Sequence, residues 1–175
     1  AGSAGAESVK TAVFSKHHPE TVRFFLLATH YRSPIDFGDE RIEETGRSLG
    51  GFYRLIETFG RITGQDFYAL ETFATREQST SLDGEPSGFL GEVTSLRDRY
   101  YECMDDDFNT GGAVGVLFDL RKAINGFVSE ARLDSDGKSD EQNMAAFVVS
   151  VTLLKELAGI LGVFNKPIDA GDGGA

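Results

Sequence analysis

Apolar residues return along this 175-residue chain in steps of three and four, the spacing of one face of an α-helix, in five separate stretches. The second is the most regular: Ile42, Thr45, Leu49, Phe52, Ile56 and Phe59 form a stripe in a helix predicted over about Asp39–Ile62. A third stripe runs through Phe89, Val93, Leu96, Tyr100 and Cys103. A fourth follows Ala113, Leu117, Leu120, Ile124, Phe127 and Ala131. The fifth takes Met144, Phe147, Val151, Leu154, Ala158 and Leu161, with Gly162 as its C-terminal stop. The first stretch differs. His18-Pro19-Glu20 starts a helix, with proline at the first position and an acid beside the unpaired N–H groups. Val22, Phe24, Phe25, Leu26, Leu27 and Ala28 then surround it with apolar surface, so this helix is expected to lie centrally, buried on every side. No strand-like alternation of useful length competes, and short connections make successive helices antiparallel neighbours. The expected fold is an all-α antiparallel helical bundle.

Breaks in the pattern set the boundaries. Pro34 pushes Ser33 towards extended backbone, so the first helix should be over by Tyr31 or Arg32, and Asp36 or Asp39 can cap the second. From about Thr63 to Ser87 the periodicity dissolves into a long connection; Phe67, Tyr68, Leu70 and Phe73 are expected to dock part of it, while Ser79–Gly88 reads as mobile. An acidic loop, Asp134 to Glu141, separates the last two helices. Residues 1–16 and 166–175 read as flexible tails, the first six carrying only Gly, Ala and Ser, around a bundle at 17–165.

Composition narrows the class. Forty per cent hydrophobic residues and 14 Phe are enough for a packed interior. A single cysteine, Cys103, leaves no internal disulfide and no multi-cysteine zinc site. No apolar run reaches the ~18 residues of a membrane span, and the N-terminus lacks a secretory pattern, so the expected setting is cytoplasmic with no membrane. A net charge of −11 opposes general nucleic-acid binding, which needs clustered Lys and Arg.

Candidate chemistry is sparse. His17, His18 and His30 are the only histidines and none is spaced as a metal pair with a carboxylate, so neither a catalytic residue nor a metal site is expected. Asp105-Asp106-Asp107 lacks the alternating ligand spacing of a calcium loop; the competing reading is a helix start, capped by Asp107 or Asn109 with the other acids favouring the dipole. Cys103 lies on an apolar face as an expected buried thiol. The sharpest feature is cationic. With Ile42, Leu49 and Ile56 at heptad position a, Arg47, Arg54 and Arg61 all fall at f, farthest from the buried seam and about 10.5 Å apart at ~1.5 Å per residue. Guanidinium groups pair bidentately with phosphate, and Arg121 and Lys122 could extend the surface. The alternative is an ordinary solvated face, which Glu43, Glu44 and Glu57 on the same helix would suit.

Two strings carry a resemblance. Phe24-Phe25-Leu26-Leu27 followed by His30-Tyr31-Arg32-Ser33-Pro34-Ile35-Asp36-Phe37, and later Met104-Asp105-Asp106-Asp107-Phe108-Asn109-Thr110, resemble segments that follow the catalytic domain in cysteinyl-tRNA synthetases. The likeness spans roughly His17 to Phe164. It implies an anticodon-binding-like helical domain, as in class I aminoacyl-tRNA synthetases, that holds tRNA(Cys) beside a catalytic domain of the same parent chain. That parent would use ATP, Mg²⁺ and zinc for ATP-dependent cysteinylation. Its His-Ile-Gly-His-type motif, Lys-Met-Ser-Lys-Ser-type loop and zinc ligands have no match here, so this stretch should hold no cofactor and be inactive alone. His30 and Arg32 could touch RNA, or could hydrogen-bond helix-end carbonyls. Two rivals remain: the helical part of a related ligase joining cysteine to an amino sugar, and a purely structural bundle bracing the catalytic domain.

Overall fold

The structure, a computed structural model, describes residues 16–29, 38–73 and 88–167. Helix α1 spans Pro19–Ala28, and it begins as its sequence dictates: His18 is the N-cap, its ring Nδ1 accepting from the Glu20 N–H at 3.2 Å, with proline in the first turn. Helix α2 runs Asp39–Thr63 and ends on Gly64, whose φ of 73° only glycine adopts without strain. A 3₁₀ turn, Phe67–Ala69, follows, and then α3 (Phe89–Asp105), α4 (Thr110–Glu130), a 3₁₀ turn at Asp136–Ser139, and α5 (Glu141–Ile160). Among the described residues there is no strand, and the fold is the expected all-α bundle.

The stripes close on one another. Leu49, Phe52, Phe59, Val93, Tyr100, Leu117, Leu120, Ile124, Phe147, Val151, Leu154 and Ala158 belong to one continuous core. Ile56, Phe89, Cys103, Ala131 and Met144 pack at its margin, only partly buried. Cys103 is thus half-buried rather than fully enclosed. The connection after α2 docks as its aromatic residues suggest. Phe67 is buried, Tyr68, Leu70 and Phe73 pack against the core, and the Lys155 ammonium holds the Tyr68 and Leu70 carbonyls at 2.8 and 2.6 Å.

One expectation fails. Helix α1 is not central: Val22, Phe24 and Phe25 are buried, but Leu26 is 40% exposed and Ala28 faces solvent. Among the described helices its main packing is against α2 and α4. The central helix is α5, where Ser150, Val151, Thr152, Leu153 and Leu154 are all buried between α2, α3 and α4. It is also the one described helix long and apolar enough, by length and composition alone, to cross a membrane; half of it is buried inside the bundle. Its end is a paired terminus: the Gly162 N–H donates to the Gly159 carbonyl and the Val163 N–H to that of Ala158, with Gly162 at φ 70°.

Aromatic rings and one carboxylate tie α1 to the rest. Phe24, Phe52, Phe118 and Phe164 meet with centroids 5.0–6.2 Å apart. Beside them the Glu20 carboxylate accepts from the Phe164 N–H at 2.7 Å and from the Tyr53 hydroxyl. Burial and that carboxylate raise the Tyr53 pKa, so the phenol stays protonated as a donor.

Candidate functional site

The outer face of α2 is where the predicted cations gather. Arg47, Arg54 and Arg61 are all exposed, opposite Ile42, Leu49, Phe52, Phe59 and Ile62, which are buried. The physical cause is the heptad position: residues seven apart return to one side of a 25-residue helix whose other side is sealed in the core. Glu43, Glu44 and Glu57 are exposed on the same helix, yet among the described residues no acid lies within ion-pair distance of the three arginines.

Arg121 and Lys122 do not extend that row together. Neighbours on a helix are turned by about 100°, and α4 sends them opposite ways. Lys122 is exposed and lines a groove of about 700 Å³ between α3 and α4, near Phe89, Phe127 and the Arg99–Asp119 ion pair at 3.3 Å. Arg121 turns in towards α2. Its Cζ lies 5.0 and 5.5 Å from the ring centroids of Phe52 and Phe118, and its Nη1 reaches the Ser48 carbonyl at 3.4 Å. The guanidinium covers Gly51, a residue whose bare backbone is what leaves room for it. Burial, and secondarily the nearby charge of Arg54, lower the Arg121 pKa. Arg121, expected with Lys122 to extend the cationic surface, is half-buried at the join of α2 and α4.

The acidic string forms a corner, and Asn109 is its cap: the Asn109 Oδ1 accepts from the Gly112 N–H at 2.9 Å. The three acids do not all serve the start of α4. Asp105 is the last residue of α3 and Asp106 its C-cap, where the dipole disfavours negative charge. Asp107 and Phe108 both take left-handed backbone at φ 52°, and Phe108 is 74% exposed. Among the described residues no group of three or more His, Cys, Asp or Glu is placed to hold a metal ion. His30, Tyr31, Arg32, Ser33 and Pro34 lie outside the described residues, as do Asp36 and the tails at 1–15 and 168–175. The N-cap of α2 is Gly38, with Asp39 one residue further on in the first turn. The start of α4 packs on the end of α1, since a Cβ on Gly111 would stand 3.2 Å from the Ala28 carbonyl oxygen.

The periodic reading passed over Arg97, which is 4% exposed and bonded to Asp98 at 2.7 and 2.9 Å. Its signal was present: it falls with Leu90, Val93 and Tyr100 on the apolar face of α3. The polar join of α3 and α5 was also missed. The Tyr101 hydroxyl donates to Glu156 Oε1 at 3.0 Å, while Glu156 Oε2 is buried without a partner. Burial, outweighing Tyr101, the Phe73 backbone and Arg97, raises the Glu156 pKa. No spacing marks a carboxylate as buried when its cover comes from a distant connection.

Comparison with known proteins gives the class first. Residues 99–165, from the end of α3 through α5, match the DALR domain. Over about nine-tenths of its length the chain is also similar to a segment of cysteine–tRNA ligases. It is 32% identical over 158 residues to the one from Pseudomonas aeruginosa (strain LESB58), covering 90% of this chain and 26% of that protein. It is 35% identical over 153 residues to the ligase of Trichlorobacter lovleyi, covering 86% of this chain and 28% of the relative. With the Pelobacter propionicus ligase the identity is 34% over 160 residues, 88% of this chain and 29% of that protein. The chain thus spans less than a third of the curated relatives it matches.

Proposed function

We propose that this chain is the tRNA-binding helical part of a cysteine–tRNA ligase, laying the outer face of α2 along the tRNA backbone. The observation that carries it is the row of Arg47, Arg54 and Arg61: exposed, one-sided, unneutralised, and repeated every ~10.5 Å. Such a row addresses phosphates and carries no base readout, so it positions RNA rather than specifying it. The charge of −11 confines contact to a local row of cations, on a helix that also exposes Glu43, Glu44 and Glu57. The names of the relatives favour tRNA(Cys) over an amino sugar as the substrate of the whole protein. Cysteinylation belongs to a catalytic domain of that whole protein, with ATP, Mg²⁺ and zinc. The described residues here bring together no donor set that fits a metal ion, so no catalytic step is assigned to them.

Titration of the chain with a tRNA(Cys) transcript across a salt series tests this. The expected result is weak binding whose log–log salt slope corresponds to a few phosphate contacts, at about 0.7–0.9 each. Arg47→Glu/Arg54→Glu/Arg61→Glu should abolish it while the helical circular dichroism persists. A triple variant that binds as the wild type does would hand the face back to solvent and leave the bundle a structural brace.

A further inference from the structure

The pair Gly50-Gly51 sits in the middle of α2, and two guanidinium groups stand over it. A Cβ on Gly50 would lie 3.5 Å from Arg54 Nη1, and the space beside Gly51 is taken by the Arg121 guanidinium. Among the described residues no carboxylate pairs with either group. Arg121 is held from behind by Phe52 and Phe118 and by one long hydrogen bond to the Ser48 carbonyl, and its Nε is buried without a partner. Two like charges brought near adjacent glycines, with no acid paired to either among the described residues, repel each other, and that repulsion is relieved when an anion bridges them. Burial is the larger cause that lowers the Arg121 pKa, and the nearby charge of Arg54 adds to it.

We infer that Arg54 and Arg121 form one seat for a single phosphodiester group of an RNA backbone, at the glycine pair of α2. This rests on the reading of α2 as the RNA-facing helix and adds a residue from α4 to it. Arg54 approaches from the surface and can swing. Arg121 is set by its aromatic floor and supplies a fork whose position is fixed before the ligand arrives, which reduces what is lost in ordering it. Replacement of either arginine should therefore remove the same contact.

The test is fluorescence anisotropy of a labelled tRNA(Cys) transcript against the 175-residue chain at several salt concentrations. The proteins are wild type, Arg54→Met, Arg121→Met, the double variant and Arg121→Lys, each checked by circular dichroism. Each single methionine variant should bind about tenfold more weakly, with the salt slope reduced by about one phosphate contact, 0.7–0.9. The double variant should lose little more than either single one. Arg121→Lys keeps the charge without the fork and should still lose several-fold; it carries the test if Arg121→Met does not fold, and unchanged affinity in it would then overturn the shared seat. Wild-type affinity and slope in Arg121→Met would overturn it, as would a double variant that loses two contacts' worth of slope. Absence of any wild-type binding would overturn the RNA reading and the seat together; failure of the seat alone leaves wild-type binding in place.

Discussion

The guanidinium of Arg121 occupies the space beside Gly51 that any side chain at position 51 would need. Residues on α2 and α4 are thereby matched by shape: a missing side chain on one helix receives a long one from the other. Gly51→Leu should evict Arg121 and crowd Phe52 and Phe118, lowering stability by about 1–3 kcal/mol. In an Arg121→Ala background the seat is empty and the same change should cost distinctly less. A double-mutant cycle by urea denaturation measures the coupling, and additive losses would show that the two positions do not compete for space.

Asn109 caps α4 through the Gly112 N–H at 2.9 Å, just after two residues held in left-handed backbone. Asn109→Ala should lower stability by about 0.5–2 kcal/mol, and Asn109→Asp, which keeps the acceptor, by much less. Thermal unfolding of the two variants separates the cap from the size of the side chain.

Tyr100 is fully buried, and its hydroxyl donates to the Leu157 carbonyl at 2.8 Å, joining α3 to α5. Burial raises its pKa, so this donor keeps its proton through neutral and mildly alkaline pH. Tyr100→Phe keeps the packing and removes the bond, and should cost about 0.5–1.5 kcal/mol. Equal denaturation midpoints for the two proteins would show the bond contributes nothing net.

Glu156 has a raised pKa because burial penalises its charged form. A carboxyl that is harder to ionise folded than unfolded adds stability below its unfolded value, near 4.5, and loses it as pH rises through the folded value. The chain should therefore lose stability across that window from this group. Glu156→Gln should remain folded, melt higher at pH 7 than the wild type, and show less decline over the same range. A variant that melts lower at pH 7 with the decline intact would mean the Tyr101 contact outweighs the burial.

Local periodicity carried most of the fold, because a 3.6-residue repeat decides which side of a helix can be sealed from water regardless of what seals it. Hence the stripe of α2, the exposure of Arg47, Arg54 and Arg61, the proline start of α1 and the stop at Gly162 were legible before any packing, and the cap of α4 was narrowed to Asp107 or Asn109, of which the structure takes Asn109. What periodicity does not contain is how many neighbours each helix acquires. Helix α1 is as apolar as a core helix but, among the described helices, packs mainly on α2 and α4, while α5 is enclosed by three others. The same holds residue by residue at the margins. Arg121 and Lys122 are adjacent and alike in sequence, yet a glycine on α2 draws one inward and a groove beside α3 leaves the other out. Glu156, likewise, is half-buried by partners on α3 and in the connection after α2. Burial at such boundary positions depends on contacts distant in the chain, so only the assembled tertiary structure decides it.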